Sequence, residues 1–294
     1  MSAWLPTAPC TPQECVAPPA ATVSVPRRVL RCVVGLTVLV AGIAVGPLVR
    51  RLPRTQREWL VRVWSRAVAA GFGVRIRSTG ERGGGRGGAL LVANHVSWLD
   101  IALIAAVRPG RMLAKSEVGA WPVLGGFVAR SGTLFIERDR LRSLPDTVGQ
   151  IAAALRQGER VVVFPEGSTW CGRGGGRFRP ALFQAAIDAG VPVQPVTIRY
   201  RTGRGEPTTV SAFVGDDGLV ASVRRVVSAR GLVGEVTLLP PIVPGAHPGR
   251  RALAGAAQAA VGDAVAAGRP PHAHAHPAAR TPRPAVAGRG SRWG

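Results

Sequence analysis

Two short apolar runs constrain this chain more than any other feature. Ala89-Leu90-Leu91-Val92-Ala93 runs into the turn Asn94-His95-Val96-Ser97-Trp98-Leu99-Asp100, and Val161-Val162-Val163-Phe164 runs into Pro165-Glu166-Gly167-Ser168. A strand sends alternate side chains to opposite faces, so a run that is apolar at every position is covered on both faces. Such strands belong to a largely parallel sheet between layers of helices. The pattern from Gly71 onward agrees. Predicted strands at 74–77, 89–93, 111–114, 132–136, 160–164, 193–199, 210–214 and 234–239 alternate with predicted helices at 98–107, 120–130, 143–157, 180–189 and 250–267. The expected fold class is α/β, a largely parallel sheet covered by helices, preceded by an N-terminal membrane-associated helical segment.

Composition divides the chain into four parts. Residues 1–25, rich in Pro, Ala and Thr, are expected to be a disordered tail, and 269–294, rich in Pro, Ala, Arg and His, another. Residues 26–70 read as membrane-associated helices and 71–268 as the catalytic domain. Within the first helical part, residues 32–49 carry no charge and are flanked by arginines on both sides, about the shortest length that crosses a bilayer core. A buried core helix and a cleaved signal peptide are the competing readings. Residues 57–70 place Trp59, Leu60, Val63, Trp64 and Ala67 on one face. That suits a helix in the membrane interface or one packed on the domain surface.

The net charge of +22 comes almost wholly from arginine, since Lys115 is the only lysine. The arginines are scattered and no nucleic-acid-binding motif occurs, so nucleic acid is not an expected partner. A basic surface is instead drawn to anionic lipid headgroups. Gly83 to Gly88 matches G-x-G-x-x-G but precedes a strand, which excludes a dinucleotide site there. Cys10, Cys15, Cys32 and Cys171 show no paired metal-ligand spacing and read as thiols of a reducing compartment. His272, His274 and His276 lie in the C-terminal tail and read as solvated. No metal site is expected.

The chemistry gathers where the apolar runs end. His95 falls in the turn after a strand and Asp100 in the first turn of the next helix. Five residues is a poor spacing for one helix face, but it suits a chain that folds back so that the carboxylate accepts from the imidazole. Such a carboxylate fixes the ring tautomer and leaves the other nitrogen to take a proton. No G-x-S-x-G elbow occurs, which argues against a serine acyl-enzyme.

At these residues the chain resembles the glycerolipid acyltransferases, in particular the bacterial 1-acylglycerol-3-phosphate acyltransferases. His95 and Asp100 stand as in the family's first motif. Gly132-Thr133-Leu134-Phe135-Ile136-Glu137-Arg138 resembles the second, Phe164 to Ser168 the third, and Val191-Pro192-Val193-Gln194-Pro195-Val196 the fourth. The resemblance spans roughly residues 72–240. It implies that His95 is the general base, oriented by Asp100, and that Arg138 binds the acceptor's phosphate. It also implies that Glu166, Gly167 and Ser168 shape the acceptor site and that Lys115 adds positive charge there. By their chemistry alone, Glu166 would serve equally to cap the turn, Arg138 to pair with Glu137 or Asp139, and Lys115 to be solvated.

The implied activity is a membrane-bound O-acyltransferase that needs no cofactor and takes acyl-CoA or acyl-carrier protein as co-substrate. The acceptor would be a lysophospholipid, 1-acylglycerol-3-phosphate first, with membrane lipids as surroundings. Its place would be the inner membrane, with the catalytic domain facing the cytoplasm, where the donors are. One departure touches the acceptor. Thr169-Trp170-Cys171 stands where the family often has an arginine, with Arg173, Arg177 and Arg179 nearby. Another lysolipid, such as lyso-ornithine lipid, is therefore a second acceptor class. A lipid hydrolase and a non-catalytic membrane-tethered binding protein are readings from other classes.

Overall fold

The computed structural model describes residues 8–80, 87–115, 133–136 and 141–267. Seven strands among them form one sheet: β1 (Val74–Gly80), β2 (Ala89–Ala93), β3 (Arg111–Lys115), β4 (Leu134–Ile136), β5 (Arg160–Val163), β6 (Val193–Arg201) and β7 (Leu232–Leu238). Their order is β1-β7-β6-β2-β5-β3-β4. Every neighbouring pair is parallel except β6 and β7. The two apolar runs are the adjacent central strands β2 and β5, in register from Ala89 opposite Arg160 to Val92 opposite Val163.

The helices are α1 (Pro12–Cys15), α2 (Val25–Val49), α3 (Arg54–Gly71), α4 (Asp100–Val107), α5 (Leu144–Arg156), α6 (Phe183–Ala189), α7 (Leu219–Ser228) and α8 (Arg250–Ala267). Two buried clusters lie on opposite sides of the sheet, and β2 divides between them with the period of two that a pleated strand imposes. Ala89, Leu91 and Ala93 join Phe72 of the α3 cap, Leu103 of α4 and Val226 of α7. Leu90 and Val92 join Ile151 of α5, Phe183 of α6 and Leu253 of α8.

Helix α2 is long and apolar enough to cross a membrane, with mean hydropathy 2.4 over its apolar window and only 6% of that window buried. Its Val29, Leu30, Val33, Leu36, Val40, Val45 and Leu48 point away from the protein. The glycines on its other face let α3 approach. A Cβ on Gly42 would fall 1.9 Å from Trp64 Nε1, and one on Gly35 2.8 Å from the Phe72 ring. Trp64 Nε1 donates to the Val38 carbonyl at 2.8 Å. Arg31 roots α2 in the domain by donating to the carbonyls of Val227 and Ala229.

Two expectations are corrected, and one helix was missed. Residues 8–25, expected to be disordered, carry α1 and bury Cys10 and Cys15. The segment docks because its small residues fit beside Val214 and Cys171, and because Val23 N donates to the Ser228 carbonyl. Residues 210–214 are no strand. Ala212 N turns back to the Thr209 carbonyl and Phe213 N donates to the Val96 carbonyl. The alternating apolar residues there follow burial, not a ladder. Helix α7 went unpredicted, although Val223, Val226 and Val227 mark one face of it. Gly88 leads directly into β2. The predicted helix 120–130 and the tail 269–294 lie outside the described residues.

Glu58 joins α3 to the sheet. Its carboxylate accepts from Arg54 at 2.9 Å and Arg62 at 3.2 Å, and pairs with buried Arg160 of β5 at 2.9 Å. Burial pushes its pKa up, but the Arg54 and Arg160 bonds outweigh that and hold it below the usual carboxylate value. Glu58→Gln leaves the Arg160 charge buried without its counterion. Its expected cost is about 2–3 kcal/mol at neutral pH, read by unfolding in detergent micelles. A depressed carboxylate pKa stabilises above the unfolded value and loses that contribution as pH falls through the folded value. The parent and the variant should therefore converge in acid.

Candidate active site

The site lies at the edge where β2, β5, β3 and β4 all present their C-terminal ends, the usual place for a ligand in an open α/β sheet. His95 is two residues past β2 and Glu166 three past β5. Lys115 ends β3 opposite Ile136 of β4, and its side chain lies outside the described residues. Arg138, two residues beyond β4 in sequence, also lies outside them.

The turn from His95 to Asp100 closes as its spacing predicts. Asp100 begins α4 and is fully buried. Its Oδ2 accepts from His95 Nδ1 at 2.8 Å, from Val96 N at 2.7 Å and from Ser97 N at 2.9 Å. Its Oδ1 accepts from the Tyr200 hydroxyl on β6 at 2.6 Å. Four donors face one carboxylate, the environment that an acceptor-only group needs when it is buried. Burial first, then the Asp100 charge, pushes the Tyr200 pKa well above its usual value, so the phenol stays a donor. With Nδ1–H donating to Asp100, Nε2 is the acceptor nitrogen of His95.

The β5 loop holds His95 from the other side. The imidazole stacks on the Phe164 ring at 4.0 Å with 14° between planes. Its backbone N–H donates to Glu166 Oε2 at 2.8 Å, and its carbonyl accepts from Trp170 N at 2.7 Å. Glu166 is buried, and its Oε1 accepts from Gly176 N at 2.9 Å. Gly167 has φ +77, a left-handed turn that a Cβ would strain. The Ser168 hydroxyl is buried without a hydrogen-bond partner among the described residues. Arg173, Arg177 and Arg179 line the exposed side of the same loop. Asn94 ties the end of β2 to β6 by exchanging bonds of 2.9 and 2.8 Å with both backbone groups of Ile198.

The fold thus brings His95, Asp100, Glu166, Gly167 and Ser168 together. Sequence reasoning missed Tyr200, Asn94, Phe164 and Trp170. Tyr200 had one signal, since it is the only tyrosine in the chain. The arrangement offers an oriented imidazole, open on one side, that can take a proton from a hydroxyl.

A family model for acyltransferases matches residues 75–199, the stretch that contains this site. The chain is 39% identical over 234 residues to the lyso-ornithine lipid O-acyltransferase of Pseudomonas aeruginosa, covering 77% of this chain and 88% of that protein. The chain belongs to the acyltransferase family, and it is an enzyme. It is also 41% identical over 149 residues to the 1-acyl-sn-glycerol-3-phosphate acyltransferase of Neisseria gonorrhoeae, covering 51% of this chain and 58% of that protein. Among solved structures, the 1-acyl-sn-glycerophosphate acyltransferase PlsC of Thermotoga maritima has the same fold. The TM-score is 0.62 at 19% identity, over 82% of this chain and 95% of that one.

Burial pushes the Glu166 pKa up to about 8, against the bonds from His95 and Gly176 and with the Asp100 charge adding to the rise. A raised carboxyl pKa stabilises fully below the unfolded value near 4.5 and loses that contribution as pH rises through about 8. In this window the melting temperature of the parent should fall more steeply with pH than that of Glu166→Gln. The slope is the measure, because the Gln amide would set a donor against a backbone N–H.

Proposed function

We propose that this enzyme transfers a fatty acyl group from acyl-CoA or acyl-carrier protein to the free hydroxyl of a lysophospholipid at a membrane surface. The observation that carries the reading is the His95 imidazole held at Nδ1 by fully buried Asp100. His95 Nε2 takes the proton of the acceptor hydroxyl, and the oxygen attacks the thioester carbonyl. The thiolate then leaves and regains the proton from the imidazolium. Asp100 stabilises that imidazolium as the carboxylate does in a Ser-His-Asp triad, with the substrate oxygen in the place of serine. The Phe164 face stacked on the ring favours the same cation. No metal or organic cofactor enters these steps.

The acceptor's anionic headgroup is read by Arg138 and Lys115, and by the arginines at 173, 177 and 179. Glu166, Gly167 and Ser168 form its wall, where the Ser168 hydroxyl supplies a donor. We favour 1-acylglycerol-3-phosphate, whose acylation gives phosphatidic acid. A second reading, lyso-ornithine lipid, is supported by the Pseudomonas relative named for that acceptor, which this chain covers over 88% of its length. Helix α2, apolar and turned outward, is the membrane segment. The domain faces the cytoplasm, where thioester donors are made. Proteolysis of intact cells that cleaved it from outside would overturn that orientation.

The test is thiol release from long-chain acyl-CoA and acyl-carrier protein by membranes carrying the protein, with a panel of lysolipids. Acceptor-dependent release that drops at least ~10³-fold in His95→Ala is the expected result. The preferred lysolipid identifies the headgroup. Release of free fatty acid without acceptor would instead mean a hydrolase. Tyr200→Phe removes one donor from Asp100 and should lower kcat about tenfold, with KM little changed.

A further inference from the structure

Three of the four cysteines converge at one place outside the His95 centre. The sulfurs of Cys10, Cys15 and Cys171 all lie within 4.8 Å of one another, and all three residues are buried. Two come from the N-terminal segment around α1, and the third lies 156 residues beyond Cys15 in the loop after β5. We propose that Cys10, Cys15 and Cys171 form a tris-thiolate site for a thiophilic d10 cation, Zn2+ or Cu+, that fastens the N-terminal segment to the loop carrying Trp170.

The donor set fits that class. Thiolates select Zn2+ and Cu+ over the hard cations. A metal–sulfur bond of about 2.3 Å in tetrahedral or trigonal geometry places sulfurs about 3.8–4 Å apart, so closing the cluster needs a movement of about 1 Å or less. Each thiol gives up its proton on binding, and no oxidant or reductant is involved.

The surroundings supply a reason for the site. The segment over residues 8–16 brings mostly small side chains to the core, namely Ala8, Cys10, Cys15 and Val16. Just past it, Ala17 N donates to Thr209 Oγ1 at 2.9 Å. Cys171 directly follows Trp170, whose N–H holds the His95 carbonyl, and Val96 of the site turn packs in the same cluster. A cation here would pin the segment, the loop and the turn at one point. The cysteine spacing alone could not show this, because the third ligand comes from a loop 156 residues away.

The test uses the full chain in detergent micelles, purified under reductant, stripped with a chelator and titrated with Zn2+ and with Cu+. The expected result is one cation bound per chain, a higher melting temperature, and protection of three of the four thiols from alkylation. The cation that does this at the lower concentration is the occupant. The metal-dependent rise should vanish in each of Cys10→Ala, Cys15→Ala and Cys171→Ala and persist in Cys32→Ala. Should a variant fail to fold, the one-to-one cation stoichiometry and the metal-dependent rise in melting temperature of the parent chain read the same property. No change with either cation overturns the proposal. So does a rise that survives the single replacements, or a disulfide among these cysteines in the purified chain. The readout is independent of acyl transfer, so its failure leaves the catalytic reading standing.

Discussion

The buried carboxylate of Asp100 is the point on which the rest of the site depends. A charge with no exposed surface is costly unless every lone pair is used. Here the imidazole, two turn amides and a phenol use them. Each donor comes from a piece of structure that must be in place first. The turn amides require the chain to fold back after β2, and the phenol requires β6 to lie beside β2 in its observed register. Asn94 sets that register a second time through both backbone groups of Ile198. The orientation of the His95 ring is thus a property of the sheet rather than of a loop.

The same economy joins the outward-facing helices to the chemistry. Strand β5 starts at Arg160, which is paired to α3 through Glu58. Three residues past its other end stands Glu166, which holds the backbone of His95. Trp98, from the His95 turn, packs edge-on against Phe72 at the end of α3, with ring centroids 5.2 Å apart. Through Phe72 the contact reaches Gly35 of α2. A displacement of α2 and α3 therefore has two short mechanical routes to the imidazole.

The sheet was legible in the sequence because β2 is apolar at every position and β5 at all but its first, a pattern that two-sided burial explains. The His95–Asp100 pair was legible because both residues sit on one short turn. What escaped prediction depends on contacts between distant segments. Tyr200 meets Asp100 from 100 residues away, and Cys171 meets Cys15 from still farther. The segment 210–214 alternates like a strand because it is buried, yet its backbone bonds go to the site turn and to Arg225. The N-terminal segment has the composition of a solvated tail but contains side chains small enough to fill a crevice. Periodicity reports what a residue faces, and it is silent about which remote segment does the facing.

The hydrogen bonds around His95 have a consequence for how such an enzyme changes. Its backbone N–H, its carbonyl and its Nδ1 are all engaged within the protein, so the ordering of the base is completed during folding and owes nothing to the substrate. The arginine-bearing loop beyond Glu166 contributes few of those bonds. Substitutions at its exposed arginines can change what the loop presents to solvent while the hydrogen bonds around His95 keep their geometry. A lineage built on this plan can rewrite a rim and leave the centre alone.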